Sequence, residues 1–162
     1  LLNIDQHTDS NVEKAIDLGF VGVPEKIDPQ VINALINEKM IPVIAPVGIG
    51  IDGLTYNINA DTAAGAISAA MKASRMIMLT DVVGVLDKDG NLIPELTINE
   101  SLELIKNKVV VGGMIPKLKT CIEAVEGGAE AAVIMDGRIS HSLLLELFTE
   151  HGVGTIIRKN HN

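Results

Sequence analysis

Apolar residues recur along this chain in two rhythms. After Asp28-Pro29, the residues Val31, Ile32, Leu35 and Ile36 fall three and four apart, the spacing of one helical face. An Asp followed by Pro is a strong helix start, because the carboxylate caps free N–H groups and proline has none to lose. The pattern predicts a helix to about Glu38. Ile41-Pro42-Val43-Ile44-Ala45 is a continuous apolar run and predicts a buried strand, followed by the loop Gly48-Ile49-Gly50-Ile51-Asp52-Gly53. A second helix is predicted from near Asp61 through the alanine-rich stretch Ala63 to Ala73. Met76-Ile77-Met78-Leu79-Thr80 reads as the next strand, and Asp87-Lys88-Asp89-Gly90 as a hairpin turn.

The second half continues the alternation. Thr97-Ile98-Asn99-Glu100 is a capping box that opens a helix to about Asn107. Val109-Val110-Val111 predicts a short extended piece, broken by Gly112-Gly113. A helix from near Pro116 to Glu126 should stop at Gly127-Gly128, where glycine tolerates a left-handed backbone. Ala131 to Met135 is a buried strand, Ser140 to His151 a last helix, and Val153 to Arg158 a closing strand. Continuous apolar strands separated by helices predict an α/β fold, with a mostly parallel sheet covered on both faces. No repeat, linker or low-complexity tract interrupts it.

Length and composition narrow the function. The 162 residues suit one domain or one lobe of a larger one. A net charge of −8, with no Lys/Arg run, argues against a nucleic-acid surface. The three aromatics, Phe20, Tyr56 and Phe148, are too few for base-stacking platforms. Cys121, the single cysteine, cannot form an internal disulfide, so a reducing, cytoplasmic setting is expected and the thiol reads as core. No apolar stretch reaches the roughly 20 residues needed to span a bilayer. Asp5 interrupts any signal-peptide core, and the start at Leu1 suggests that an N-terminal part of a longer protein is absent.

Several motifs fail on context. Gly48, Gly50 and Gly53 match G-x-G-x-x-G, but Leu54-Thr55-Tyr56-Asn57 looks extended where a dinucleotide site needs a helix. Asp87 and Asp89 resemble the head of a calcium loop, yet Ile98 stands where its glutamate belongs. His7, His141, His151 and His161 have no metal-ligand spacing, so no metal site is expected.

Three segments carry more. In Tyr56-Asn57-Ile58-Asn59-Ala60-Asp61 the two amides alternate along an extended stretch and can share one side. Asp61 then stands at a helix start, which favours a carboxylate. A turn and a cap would account for the Asp; a polar substrate cradle would account for the amides as well. In Gly112-Gly113-Met114-Ile115-Pro116-Lys117 adjacent glycines precede a helix whose free N–H groups suit phosphate. Lys117 opposes the helix dipole there, which a solvated side chain or an arriving phosphate would explain. Thr80-Asp81-Val82-Val83-Gly84-Val85-Leu86 follows a strand, at the end where open α/β sheets bind ligands. It reads either as a turn or as a seat for a ribose (Asp81) and a base (Val83 to Leu86).

Taken in order, these three segments resemble motifs of the amino acid kinase family, in the branch that phosphorylates N-acetyl-L-glutamate. The resemblance runs from about Asp17 to Arg158. It implies a three-layer sandwich around a mostly parallel sheet, here incomplete, with residues to about 60 belonging to a substrate lobe and the rest to a nucleotide lobe. It implies transfer of a phosphoryl group from ATP with Mg²⁺ to the side-chain carboxylate of N-acetyl-L-glutamate, in arginine biosynthesis. By motif match Lys117 and Asp61 are the catalytic pair, and Asn57 and Asn59 bind substrate. Thr80, Asp81, Val82, Val83, Gly84, Val85 and Leu86, with Met114, hold the nucleotide.

The family's opening segment, with its phosphate-binding lysine and glycines and its substrate-binding glycine pair and arginine, is not found in this chain. The 162 residues alone are therefore expected to be inactive. Asp136-Gly137-Arg138-Ile139-Ser140-His141, Glu146 and Gly152-Val153-Gly154-Thr155 resemble the tail of the arginine-inhibited, hexameric branch. That implies His141, Glu146, Gly152 and Gly154 as effector residues and a homo-oligomer. An ordinary closing helix and strand would also account for the tail. Other kinases of the fold (for glutamate, carbamate or uridylate) and a non-catalytic sensor stay open as alternatives.

Overall fold

Local capping places the first elements. Asp28 accepts from the Gln30 N–H at 2.9 Å and Pro29 opens α1, Pro29–Asn37. Thr97 and Glu100 complete their reciprocal capping box at the head of α3, Ile98–Lys106. Between them lies α2, Ala60–Met71, and after them α4, Met114–Gly127, and α5, Ser142–Phe148. Helix α4 starts two residues before Pro116, which sits in the first turn, where a missing N–H breaks no intrahelical bond. The computed structural model describes residues 19–149 and 152–160. His7, His151 and His161 lie outside the described residues; α5 ends at Phe148, before an extended Thr149, short of the expected run to His151.

Two sheets carry these helices. The first has the order β1-β3-β2, from Val21–Gly22, Thr55–Ile58 and Val47–Ile49. The second has the order β4-β6-β7-β5, from Met76–Thr80, Ala131–Asp136, Thr155–Arg158 and Glu95–Thr97. β1 runs parallel to β3, β4 to β6, and β5 to β7; the β2–β3 and β6–β7 pairs are antiparallel. Gly48, Gly50 and Gly53 thus fall in and around the tip of the β2–β3 hairpin rather than beneath a helix start. Asp87 accepts from the N–H groups of Asp89 and Asn91, closing the hairpin turn between Leu86 and Leu92.

Two expected strands are absent. Residues 41–45 form no ladder, and Ile41 and Val43 stand 90% and 95% exposed. An apolar run gains by burial, but a strand also needs a partner, and Pro42 has no N–H to give one. Val109 to Val111 turns instead of extending: Lys108 takes a positive φ of 56°, and Val110 drops into the core. The two- and three-residue strands β1, β2 and β5 are too short to show a period in sequence, and β2 takes Gly48 and Ile49 out of the expected loop 48–53.

The core belongs to the second sheet. Leu118, Cys121, Ile122 and Val125 of α4 pack with Met76, Met78, Ile134 and Ile157 of the strands. Among the described residues the first buried one along the chain is Ala63, in α2. Helices α2 and α4 lie close because their contact is made of small residues. A Cβ on Gly65 would stand 2.8 Å from Thr120, and one on Gly127 2.7 Å from Ala69. The middle of α2 thus meets the middle of α4, and late residues meet late, so the helices run parallel with both N-termini at one end. Each precedes its strand in an αβ unit, so those N-termini lie at the carboxyl ends of β4 and β6. No helix among the described residues is long and apolar enough to cross a membrane.

Candidate active site

At that end the parallel helices bring two charges together. Lys117 Nζ lies 2.9 Å from Asp61 Oδ2, each side chain in the first turn of its helix and about a quarter to a third exposed. The residues are 56 positions apart in sequence; the small-residue contact between α2 and α4 is what joins them. Two helix N-termini side by side form a positive field that suits an anion. Lys117, placed against its own helix dipole, is held by Asp61 and kept close to the surface. Asp61 does not cap α2, as a cap reading of it would require. Asn59 does, its side chain accepting from the Thr62 N–H at 3.2 Å, which leaves Asp61 for Lys117.

Upstream of α4, Gly112 takes a positive φ of 58°, and a Cβ on Gly112 or Gly113 would meet nothing within 4 Å. No described residue accepts from either N–H. Met114 opens the helix and packs its side chain partly against the core, fixing the glycine turn to the body of the protein. Asn57 lies exposed in the middle of β3, opposite Val21 and Val47.

The segment after β4 divides into a surface part and a core part. Asp81, Val82, Val83 and Leu86 are exposed, and Thr80 is half-buried with its hydroxyl donating to Asp81 at 3.2 Å. Gly84 and Val85 are buried. Val85 donates its N–H to the Thr155 hydroxyl at 2.8 Å, and the same hydroxyl donates to the Ile93 carbonyl at 2.7 Å. A Cβ on Gly84 would stand 2.6 Å from that hydroxyl, so glycine is needed at this close approach. The side chain of Val85 is therefore a structural anchor, and the exposed residues on either side form the accessible surface.

The tail is a tightly built corner. Glu146, buried in α5, pairs with Arg75 at 3.2 Å, and Arg75 also donates to its backbone carbonyl. The second carboxylate oxygen accepts from the Val153 N–H at 3.1 Å. A Cβ on Gly152 would strike this carboxylate, and one on Gly154 the Ile134 carbonyl. His141 is exposed and left-handed, with φ 60°.

Sequence reasoning misses Arg75, and it places Asp136, Arg138 and Thr155 only in the tail motif, not beside the segment after β4. Asp136 ends β6 and accepts from the side chain and N–H of Arg138, which hold its carboxyl down at about 2. The D-G-R spacing signals a local carboxylate–guanidinium turn, but nothing in sequence shows that Arg138 also bonds the Asp81 carbonyl. Cys121 lies one helical turn beyond Lys117. Burial first, and then the Asp61 charge, push its thiol up to about 12 against an opposing effect of Lys117.

The sequence signature of the amino acid kinase family matches residues 2–136. An acetylglutamate kinase of Gluconobacter oxydans is 64% identical over 150 residues, covering 93% of this chain and 51% of that protein. One from Parvibaculum lavamentivorans is 62% identical over 151 residues, covering 93% and 50%. The chain spans about half the length of the curated relatives it matches. Among solved structures, N-acetylglutamate synthase from Neisseria gonorrhoeae, complexed with coenzyme A and L-arginine, superposes with a TM-score of 0.83 at 28% identity, over 92% of this chain and 35% of that one. Carbamate kinase from Giardia lamblia bound to AMP-PNP shares the fold, with a TM-score of 0.64 at 22% identity over 80% and 44% of the two chains.

Proposed function

The chain belongs to the amino acid kinase family, and from that premise we propose that it carries the nucleotide lobe, and part of the substrate lobe, of an acetylglutamate kinase. The reaction is transfer of the γ-phosphoryl group of ATP to the side-chain carboxylate of N-acetyl-L-glutamate, a step toward arginine. The observation that carries the proposal is the Lys117–Asp61 ion pair at the paired N-termini of α2 and α4. The cluster lies where ligands meet open α/β sheets, and its relatives bear the name of that kinase.

The chemistry asks little covalent help from protein. A carboxylate oxygen attacks the γ-phosphorus, the bond to the bridging oxygen breaks, and ADP leaves as an acyl phosphate forms. The nucleophile is already ionised at neutral pH, so no general base is needed. Catalysis then consists of positioning and charge neutralisation. Lys117 is the cation for the transferring group, and Asp61 positions it. The glycine turn at Gly112-Gly113 and the exposed residues Thr80 to Val83 and Leu86, with Met114 behind, flank the nucleotide. Gly84 and Val85 hold that segment to the core. Asn57 and the amide of Asn59 supply substrate contacts. Magnesium enters as part of the ATP substrate, on its phosphates.

Residues to about 60, which bury no side chain among those described, are assigned to the substrate lobe. A cytoplasmic location fits the single core cysteine. Inhibition by L-arginine and a hexameric state belong to the same reading, supported by the tail residues His141, Glu146, Gly152 and Gly154. An arginine ligand would compete with Arg75 for the Glu146 carboxylate.

A coupled ADP-release assay on the product of the complete gene tests the activity, with N-acetylglutamate, glutamate, carbamate and UMP as acceptors. ADP release with N-acetylglutamate alone, falling by about 10²–10³ in kcat in Lys117→Ala, is the expected result. Release with another acceptor overturns the substrate, and Lys117→Ala retaining full kcat overturns the role of the ion pair. Titration with arginine in the same assay, and sedimentation of the protein, test the inhibitor and the assembly.

A further inference from the structure

Arg138 makes a contact that neither a surface ion pair nor a turn requires. Its Nε donates to Asp136 Oδ1 at 3.0 Å and its Nη2 to Asp136 Oδ2 at 2.8 Å, a two-point clamp that fixes the guanidinium plane. The backbone N–H of Arg138 also donates to Asp136 Oδ1, at 2.9 Å, so the carboxylate holds both ends of the residue. The clamped guanidinium then reaches across and donates through Nη2 to the backbone carbonyl of Asp81, 57 positions away. Beside it, the Gly137 N–H donates to the Thr80 carbonyl at 2.9 Å, extending the β4–β6 pairing past the strand ends. A side chain at 137 would press on Leu79, its Cβ 3.1 Å from the Leu79 Cβ, so glycine permits the close approach.

The effect falls on one peptide group. A peptide is planar and trans, so fixing the Asp81 carbonyl also fixes the Val82 N–H, which points the opposite way. No described residue accepts from that N–H. The Arg138 side chain is 68% exposed while the Asp136 carboxylate that clamps it is 8% exposed, so a nearly buried group anchors an accessible one. What the clamp supplies is orientation.

We propose that Arg138 is a positioning residue for the nucleotide: clamped by Asp136 and bonded to the Asp81 carbonyl, it sets the peptide after β4. The Asp81 carboxylate and the Val82 N–H are thereby aimed at the ribose side of ATP. The inference rests on the assignment of residues 80–86 to the nucleotide.

The test uses the complete gene product and three proteins: the parent, Arg138→Ala and Arg138→Lys. ATP binding is measured by calorimetry and steady-state constants by ADP release, with thermal melts to confirm folding. Arg138→Ala should raise both Kd and KM for ATP about tenfold, the equivalent of one charge-assisted hydrogen bond's orienting effect, with kcat and the KM for the acceptor near parental values. Arg138→Lys should recover little, because an ammonium cannot span the carboxylate and the carbonyl in one plane. Added guanidinium ion should restore ATP affinity to Arg138→Ala but not change the parent. ATP affinity unchanged in a folded Arg138→Ala, or a loss confined to kcat, overturns the positioning role while leaving the nucleotide assignment intact. A folded parent that binds no ATP overturns both.

Discussion

Replacing Thr155 by valine removes one hydroxyl and nothing else of consequence to shape. That hydroxyl is fully buried, accepts from the Val85 N–H at 2.8 Å and donates to the Ile93 carbonyl at 2.7 Å. Valine keeps the branch and fills the volume, so no cavity forms, but it can neither accept nor donate. The Val85 N–H is then left in the core without a partner, and the Ile93 carbonyl, half-buried, loses one of its own. An unsatisfied buried group costs about 1–3 kcal/mol, so Thr155→Val should lose about 2–4 kcal/mol of stability. Thr155→Ser keeps both hydrogen bonds and loses one methyl group, for about 1 kcal/mol. Urea unfolding followed by far-ultraviolet circular dichroism measures both, with m unchanged if the denatured state is unaffected. The Val85 amide should exchange its hydrogen faster in Thr155→Val alone. A valine variant as stable as the parent, or a serine variant that loses as much as valine, would refute the reasoning that polar satisfaction at Thr155 anchors the 80–86 segment.

Three further outcomes follow from particular contacts. The Asp136 carboxyl, held down at about 2 chiefly by the Arg138 side chain, should titrate by carbon NMR well below an ordinary aspartate. Its contribution to stability is therefore present above the normal carboxylate range and fades as pH falls from about 4 toward 2; an ordinary midpoint would disprove the clamp. Gly154→Ala should destabilise by about 3 kcal/mol in chemical denaturation, because its Cβ meets the Ile134 carbonyl and stands 2.7 Å from the Met135 Cβ, in a strand that cannot yield. Cys121, fully buried with its thiol pushed up to about 12, should stay unmodified by DTNB at pH 8 until urea unfolds the chain; prompt labelling of folded protein would place it elsewhere.

Much of the local structure can be read from the sequence because its causes are local. The Asp28-Pro29 start and the Thr97–Glu100 capping box act within one turn, and both helices begin where those residues place them. β4 and β6 keep their expected positions because apolar runs flanked by helices have one low-energy use, burial between layers. Where the cause is distant, the same signals mislead. Residues 41–45 have the composition of a core strand, yet no described strand pairs with them. A cap reading of Asp61 is open in the sequence, and only geometry gives the cap to Asn59 and the Asp61 carboxylate to Lys117.

The sequence by itself determined the α/β alternation, the helix starts and the residue types available for phosphoryl chemistry, since propensity, capping and hydrophobic period operate over a few residues. The tertiary structure decided which of those residues meet. Lys117 reaches Asp61 because Gly65, Ala69, Thr120 and Gly127 let two parallel helices approach closely. Arg138 reaches Asp81 and Thr155 reaches Val85 only because the strands that carry or precede them share one sheet, and Arg75, just before β4, reaches Glu146 across that same sheet's layer. Contacts across 56 to 71 positions are set by packing of the whole core, and no window of sequence contains the surfaces that pack.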